Sequence, residues 1–195
     1  MFISDFRRID TTSFPGVFLS TVEISPGEGY GYNEAEVANI VHSDRESIDG
    51  VMFRGKGADI LDFEGVHKLI RTIRPSHTTV MIETRGERTE VLDDLVGAGY
   101  INMVGFILDK NIDKNQKASM KLVRESGCPF GVMMILSPEG LTMADAQDMK
   151  EDIAGAGIVT LNRPEQMPGK KRYKKNELVS LAKSLKGSAK DVKVF

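Results

Sequence analysis

Short apolar runs alternate along the chain with segments that carry apolar residues at helical spacing. The runs are rich in Val, Ile, Met and Phe and show no clean polar alternation, as in strands that are covered on both faces. We predict strands at 17–24, 50–53, 79–83, 103–107, 130–136, 158–162 and 191–195. Apolar stripes of helical period occupy 63–73, 91–96 and 178–185 between them. The pattern therefore predicts an α/β fold.

Capping residues mark the ends of two predicted helices. Asn176 is placed to cap the start of the last helix, and Gly187 lies just past its end. Thr142 and Asp145 have the spacing of a capping box, in which each side chain binds the other residue's backbone N–H. We therefore expect the two helices to begin directly after Asn176 and Thr142.

The alternation of strands and helices determines the class of fold. Strand–helix–strand units form right-handed crossovers, which give a parallel sheet. Six or seven such units in 195 residues are too few for a complete eight-unit barrel. An open doubly wound sheet and a partial barrel both fit this pattern. No linker or short repeat divides the chain, so we expect one domain spanning residues 1–195.

Composition and charge exclude several classes of function. The chain has 26 basic and 28 acidic residues, so no overall field attracts nucleic acid or a membrane surface. No apolar run reaches the ~18 residues that a membrane span requires. Cys128 is the sole cysteine, which rules out an intramolecular disulfide framework and fits a reducing compartment. We therefore expect a cytoplasmic protein that neither spans a membrane nor binds nucleic acid.

One segment near the start carries a family resemblance. The residues Phe14-Pro15-Gly16 lead into the predicted strand 17–24, and this arrangement resembles the small radical SAM activating enzymes. That family includes the anaerobic ribonucleotide reductase activases and the pyruvate formate-lyase activases. The resemblance covers nearly the whole chain and extends to the closing strand at 191–195. It implies a partial TIM-like (β/α)6 barrel of the radical SAM type, with a parallel sheet in a single domain.

The family's cluster-binding positions hold residues other than cysteine. In the family, a Cys-x3-Cys-x2-Cys motif after the first strand holds an iron–sulfur cluster, and one iron is left for SAM. The same spacing falls here on Gly27, Gly31 and Glu34. Glycine has no ligand atom, and a single carboxylate is a hard oxygen donor that does not replace three thiolates. We therefore predict a degenerate member with no cluster, no other metal and no required cofactor.

The second strand end shows another altered motif. Working groups in parallel α/β folds collect at the carboxyl ends of the strands. Residues 53–58 resemble the family's Phe-x-Gly-Gly-Glu-Pro, which meets the amino group of SAM; Gly55 keeps the first glycine, Lys56 replaces the second and Gly57 replaces the acid. The loss of the acid beside a new lysine disfavours an ammonium group. Arg54 and Lys56 suit a carboxylate or a phosphate instead.

The third strand end adds further charge. Residues 82–86 resemble the family's Asp-Thr-Asn-Gly, with Glu83 at the acid and Arg85 at the asparagine. Positions two apart on a strand face the same side of the sheet, so we predict both side chains near Arg54. Either they form a structural ion pair or they belong to a ligand site. Asn162 ends a later strand and completes the candidate rim, which comprises Arg54, Gly55, Lys56, Glu83, Arg85 and Asn162.

Three functions stay open on these observations. The first is a non-catalytic binding or regulatory homologue of the glycyl-radical activating enzymes, a pseudoenzyme whose partner is a protein or a small anionic ligand. The second is a repurposed enzyme that binds an anionic metabolite or nucleotide at the rim. The third is a genuine activase-type enzyme with atypical cluster ligation. SAM or a related nucleotide stays a candidate ligand, and neither a catalytic residue nor an oligomeric state is assigned.

Overall fold

The computed structural model describes residues 1–10, 18–74, 77–110, 112–164 and 171–195. Residues 11–17, which include Phe14-Pro15-Gly16 and the first position of the predicted strand 17–24, lie outside the described residues. The strands are β1 (Phe2–Asp10), β2 (Leu19–Ser25), β3 (Gly50–Gly55), β4 (Thr79–Thr84), β5 (Met103–Leu108), β6 (Phe130–Ile135), β7 (Ile158–Asn162) and β8 (Val192–Val194). The helices are α1 (Glu34–Asp44), α2 (Val66–Ile73), α3 (Thr89–Gly97), α4 (Lys114–Glu125), α5 (Met143–Asp148) and α6 (Lys175–Leu185), with a 3-10 helix at Ile60–Asp62.

The seven predicted strands correspond to β2 through β8, with small differences at their ends. Strand β1 was not predicted, because the charged residues Asp5, Arg7 and Arg8 interrupt its apolar positions. It runs antiparallel to β2. The Nη2 of Arg8 also donates to the Oδ1 of Asp44, in α1, at 2.6 Å, and this guanidinium holds the pKa of Asp44 below its ordinary value. The first strand is therefore attached both to the sheet and to a helix.

The chain divides into two compact units. The first comprises residues 1–84 and 90–104. In this unit β2, β3 and β4 are parallel neighbours, and their register places Glu23 beside Arg54 and Arg54 beside Glu83. The apolar side chains of these strands are fully buried, as expected for a sheet covered on both faces. The register therefore brings three charged side chains into one row at the carboxyl ends of the strands.

The second unit comprises residues 85–89 and 105–195. Within it β6, β7 and β8 are parallel, with Gly131 beside Ile158 and Val159 beside Val192. The rings of Phe106 and Phe130 meet edge to face at 6.1 Å between centroids. Like the first unit, it has a core of buried apolar strand and helix residues.

The predicted fold class is confirmed at the level of an α/β fold with a mainly parallel sheet. The partial (β/α)6 barrel stays a prediction, because the pairings within each unit do not define a barrel. The single domain at 1–195 also stays a prediction. None of the helices in the described segments is long and apolar enough to cross a membrane.

The predicted helix ends are partly right. Thr142 and Asp145 form the expected capping box, with the backbone N–H of Thr142 donating to Asp145 at 2.9 Å and that of Asp145 donating to Thr142 at 3.2 Å. Gly187 lies just past α6 at a φ of 101°. The prediction for Asn176 is wrong: α6 begins at Lys175, two residues before the start expected directly after Asn176, and Lys174 is its N-cap. The side chain of Glu177 accepts the backbone N–H of Lys174, which fixes the earlier start.

Candidate functional site

The loop that would correspond to the family's cluster loop joins β2 to α1 and lies against β1. The backbone N–H of Tyr32 donates to the carbonyl oxygen of Ile3 at 2.9 Å. A Cβ atom built on Gly31 would be 2.0 Å from that same carbonyl oxygen and 2.8 Å from the ring of Phe2. Real Cβ atoms do not approach backbone this closely, so position 31 has no room for any side chain in this conformation.

The other two predicted cluster positions differ from position 31. Gly27 has a φ of 77°, and a Cβ there would meet nothing within 4 Å. A side chain would have space at this residue, but its backbone lies in the left-handed region that favours glycine. Glu34 is the first residue of α1, where a negative charge interacts favourably with the helix dipole. The three positions therefore have separate structural roles in the loop.

Side chains of the types that bind metals lie apart within the described part of the chain. In the ranges that the structure describes, no three His, Cys, Asp or Glu residues are grouped so that they could hold a metal ion. Cys128 follows α4 and is half-buried, and loss of water around its thiol raises the pKa. His42 lies on α1, His67 lies on α2, and His77 precedes β4.

The positive charges at the end of β3, those of Arg54 and Lys56, are paired with the carboxylate of Glu23 in β2. The Nε and Nη2 of Arg54 donate to the Oε2 of Glu23 at 3.1 and 2.8 Å. The Nζ of Lys56 lies 3.2 Å from the Oε1 of the same carboxylate. Glu23 is buried, whereas the Lys56 side chain is 64% exposed. Both predicted cations therefore share one carboxylate, and Lys56 is the more exposed of the two, at 64% against 20% for the Arg54 side chain.

Gly55 separates these two cations and has a steric role. A Cβ at this position would be 2.1 Å from the carbonyl oxygen of Ala58. The following backbone N–H, that of Lys56, donates to the carbonyl oxygen of Ile24 at 2.8 Å. The glycine thus permits a tight turn directly after β3. This turn directs the side chain of Lys56 back toward Glu23.

Glu83 lies beside Arg54 in the sheet, as predicted, and its environment favours the protonated carboxyl group. Loss of water raises its pKa, the charge of Arg54 lowers it, and the charges of Asp10, Glu23 and Asp59 raise it further. Asp59 is held by the hydroxyl of Thr84 at 2.7 Å. The carboxyl ends of β2 to β4 therefore concentrate negative charge around the guanidinium of Arg54. The basic, anion-binding rim that the sequence suggests at Arg54 and Lys56 has no such group of acids.

The two remaining rim residues, Arg85 and Asn162, belong to the second unit. The Nη2 of Arg85 lies 3.1 Å from the Oδ2 of Asp109, and its backbone carbonyl accepts the side chain of Gln116 at 3.0 Å. Asn162 is half-buried at the end of β7, where its backbone carbonyl accepts the N–H of Leu136. The predicted rim is thus divided, with Arg54, Gly55, Lys56 and Glu83 in the first unit.

Glu23 and Asp10 are two members of this site that are not among the six predicted rim residues. Glu23 interrupts the apolar run of β2, and an acid inside such a run is a signal that a cation lies nearby. Asp10 is buried at the end of β1 and accepts the hydroxyl of Thr21 at 3.0 Å. Since β1 itself was not predicted, the place of Asp10 could not be inferred.

The comparisons with known proteins agree with this fold. No model of a protein family matches the chain, and no curated protein matches it. The crystal structure of SuiB from Streptococcus suis bound to S-adenosylmethionine is similar, with a TM-score of 0.62 and 12% identity over 86% of this chain and 45% of that one. A second crystal structure of SuiB gives a TM-score of 0.61 and 12% identity over 84% and 43%.

SuiB has the radical SAM fold, so this likeness supports a radical-SAM-like fold for the chain. At 12% identity the likeness concerns the fold alone. The chain spans less than half the length of either SuiB structure. The functional assignment therefore depends on the residues of the site.

Proposed function

We propose that this chain is a radical-SAM-like domain that holds no iron–sulfur cluster and acts as a binding or regulatory homologue of the glycyl-radical activating enzymes. The observation that carries the proposal is the closed space at Gly31, where the carbonyl of Ile3 occupies the position that a cluster-binding side chain would need. Radical SAM chemistry uses three thiolates from one loop to leave an iron free for SAM. This loop supplies none, and Cys128 belongs to the other unit.

The ion pairs among the rim residues also support a role other than the radical SAM chemistry of the activating enzymes. Glu23 binds both Arg54 and Lys56, and Glu83 flanks the same guanidinium. A site built in this way pairs both of its cations with its own carboxylate, which suits a stable binding surface. An incoming anion competes with Glu23, and Lys56 is the exposed cation that can turn toward it.

Anaerobic reconstitution with ferrous iron and sulfide tests the proposal. After desalting, we expect only background iron and no new absorbance at about 400 nm, where iron–sulfur proteins absorb. The Cys128→Ser variant is the control, because it removes iron held adventitiously by the one thiol. About four irons per chain in both proteins would show atypical ligation and would support the activase alternative.

A second candidate, a repurposed enzyme that binds an anionic metabolite or nucleotide, is favoured by Glu83. A half-buried carboxyl with a raised pKa beside an arginine has the properties of a general acid or base. A thermal-shift panel with SAM, S-adenosylhomocysteine, nucleotides and small carboxylic acids tests this candidate. A ligand at about 100 times its Kd stabilises the protein by about 2.7 kcal/mol. Stabilisation by a nucleotide or a carboxylic acid that is lost in Lys56→Met, but kept in Lys121→Met, supports it; no stabilisation by these anions contradicts it.

A further inference from the structure

A polar cavity of about 350 Å³ lies in the first unit, at the amino end of β4. Its walls include Arg74 directly after α2, His77 and Thr79 at the entry to β4, and Tyr100 and Asn102 after α3. Thr79 begins β4, whereas the candidate site lies at the other end of the same strand. About 13 Å of strand separates Thr79 from Glu83 at the usual rise per residue. The cavity is therefore a different place from the rim described above.

Two guanidinium groups contact the ring of Tyr100, and one of them, that of Arg74, also lines this cavity. The Cζ atoms of Arg71 and Arg74 each lie 5.6 Å from the centroid of Tyr100, within the range of a cation–π contact. The Nη1 of Arg74 donates to the carbonyl oxygen of Gly99 at 2.7 Å, which fixes the direction of its remaining donors. In the described ranges, no carboxylate forms an ion pair with either arginine. The pair thus concentrates uncompensated positive charge.

The wall of the cavity also supplies neutral hydrogen-bond donors. The hydroxyls of Thr78 and Thr79 have no hydrogen-bond partner within the part of the chain that the structure describes. The Oδ1 of Asn102 accepts the backbone N–H of Val80 at 2.6 Å, so its amide NH₂ is directed elsewhere. His77 has a φ of 63°, an uncommon conformation for a residue with a side chain. Backbone strain of this kind is often retained at binding sites.

We infer that this cavity binds the phosphate group of a phosphate monoester. A planar guanidinium and several hydroxyl and amide donors surround a tetrahedral dianion from different directions. The named wall residues include no acid that would repel it. The volume exceeds that of a phosphate ion and lies at the lower end of ordinary small-molecule sites. The remaining space and the Tyr100 ring accommodate the organic part of the ester.

An NMR titration of the ¹⁵N-labelled full chain tests this site. The probes are phenyl phosphate, inorganic phosphate and acetate, added at constant ionic strength up to about 10 mM, which detects Kd values near the millimolar range. We expect phenyl phosphate to shift the amide signals of residues 77–80 and 99–102 and to bind more tightly than inorganic phosphate. Acetate, which is planar and carries one charge, is expected to give smaller shifts. Equal shifts with acetate would overturn the assignment to phosphate.

Variants locate the site and control for folding. Arg74→Gln is expected to weaken phenyl phosphate binding by at least about tenfold, the effect of a lost charged hydrogen bond. Arg124→Gln is the matched control, because Arg124 is also an arginine that donates to a backbone carbonyl, that of Glu151 at 2.9 Å, but lies in the second unit. Arg71→Gln gives a second test without loss of a backbone contact, since that residue is exposed. The inference fails if both Arg71 and Arg74 variants bind phenyl phosphate like the wild type, or if no probe shifts these signals.

Discussion

The contact between the β2–α1 loop and β1 gives the sharpest prediction of this structure. Gly31→Ala adds one methyl group at a site where its Cβ would be 2.0 Å from the carbonyl oxygen of Ile3. That atom belongs to the backbone of β1 and cannot rotate away as a side chain can. The loop must therefore move, and the hydrogen bond from Tyr32 to Ile3 must lengthen or break.

The expected cost has two parts. Loss of one backbone hydrogen bond destabilises the fold by about 1 kcal/mol. Overpacking against the ring of Phe2, 2.8 Å from the new atom, adds roughly 1–3 kcal/mol. We therefore expect Gly31→Ala to lower the free energy of unfolding by about 3 kcal/mol. For a chain of this length, that change lowers the Tm by about 6–12 °C.

Differential scanning calorimetry or thermal melting followed by circular dichroism measures this change. Gly97→Ala is the matched control, because a Cβ at Gly97 meets nothing within 4 Å and the residue ends α3; it is expected to leave the Tm unchanged or raise it slightly. If Gly31→Ala melts within about 1 °C of the wild type, the loop does not lie against β1 and the argument from the closed cluster position is refuted.

Four further variants test the charges and one helix cap. Arg54→Met leaves the buried Glu23 with one exposed partner and is expected to lower the free energy of unfolding, measured by chemical denaturation, by about 3 kcal/mol. Lys56→Met is expected to lower it by less than about 1 kcal/mol. Equal losses in the two variants would contradict the assigned roles. The pKa of Glu83 is raised in the folded state, so its contribution to stability is present at acidic pH and is lost as the pH rises through that pKa. Glu83→Gln is therefore expected to raise the Tm more at pH 7 than at pH 4. The opposite order would show that Glu83 is stabilised as a carboxylate. Thr142→Ala is expected to destabilise by about 1 kcal/mol through loss of the N-cap, and no measurable loss would argue against the capping box.

The sequence predicts the parallel strands well and the first strand poorly, for a physical reason. Strands β3 to β7 carry mostly buried apolar residues, which makes them visible as short runs of Val, Ile, Met and Phe. Strand β1 contains three charged residues within four positions, Asp5, Arg7 and Arg8, because it is an antiparallel strand with exposed side chains. Its pairing with β2 depends on tertiary contacts that leave no periodic pattern.

The charged residues of the candidate site were predicted, but their partners were not. Arg54 and Lys56 follow directly from their place at the end of β3. Their partner Glu23 lies 31 positions before Arg54, so the pairing depends on the register between two strands. The same limit applies to the cavity beside Tyr100, where Arg71 lies on α2 and Tyr100 lies in the turn after α3. Local patterns identify such groups, whereas their juxtaposition requires the folded chain.

The iron content of the protein purified without oxygen tests the central claim most directly. The chain is expressed with ample iron and sulfur, purified anaerobically, and measured for iron, sulfide and absorbance without any reconstitution. The account predicts colourless protein with far less than one iron per chain, because position 31 has no room for a ligand and no group of thiolates is present. A brown protein with about four irons and four sulfides per chain, absorbing at about 400 nm, would contradict it.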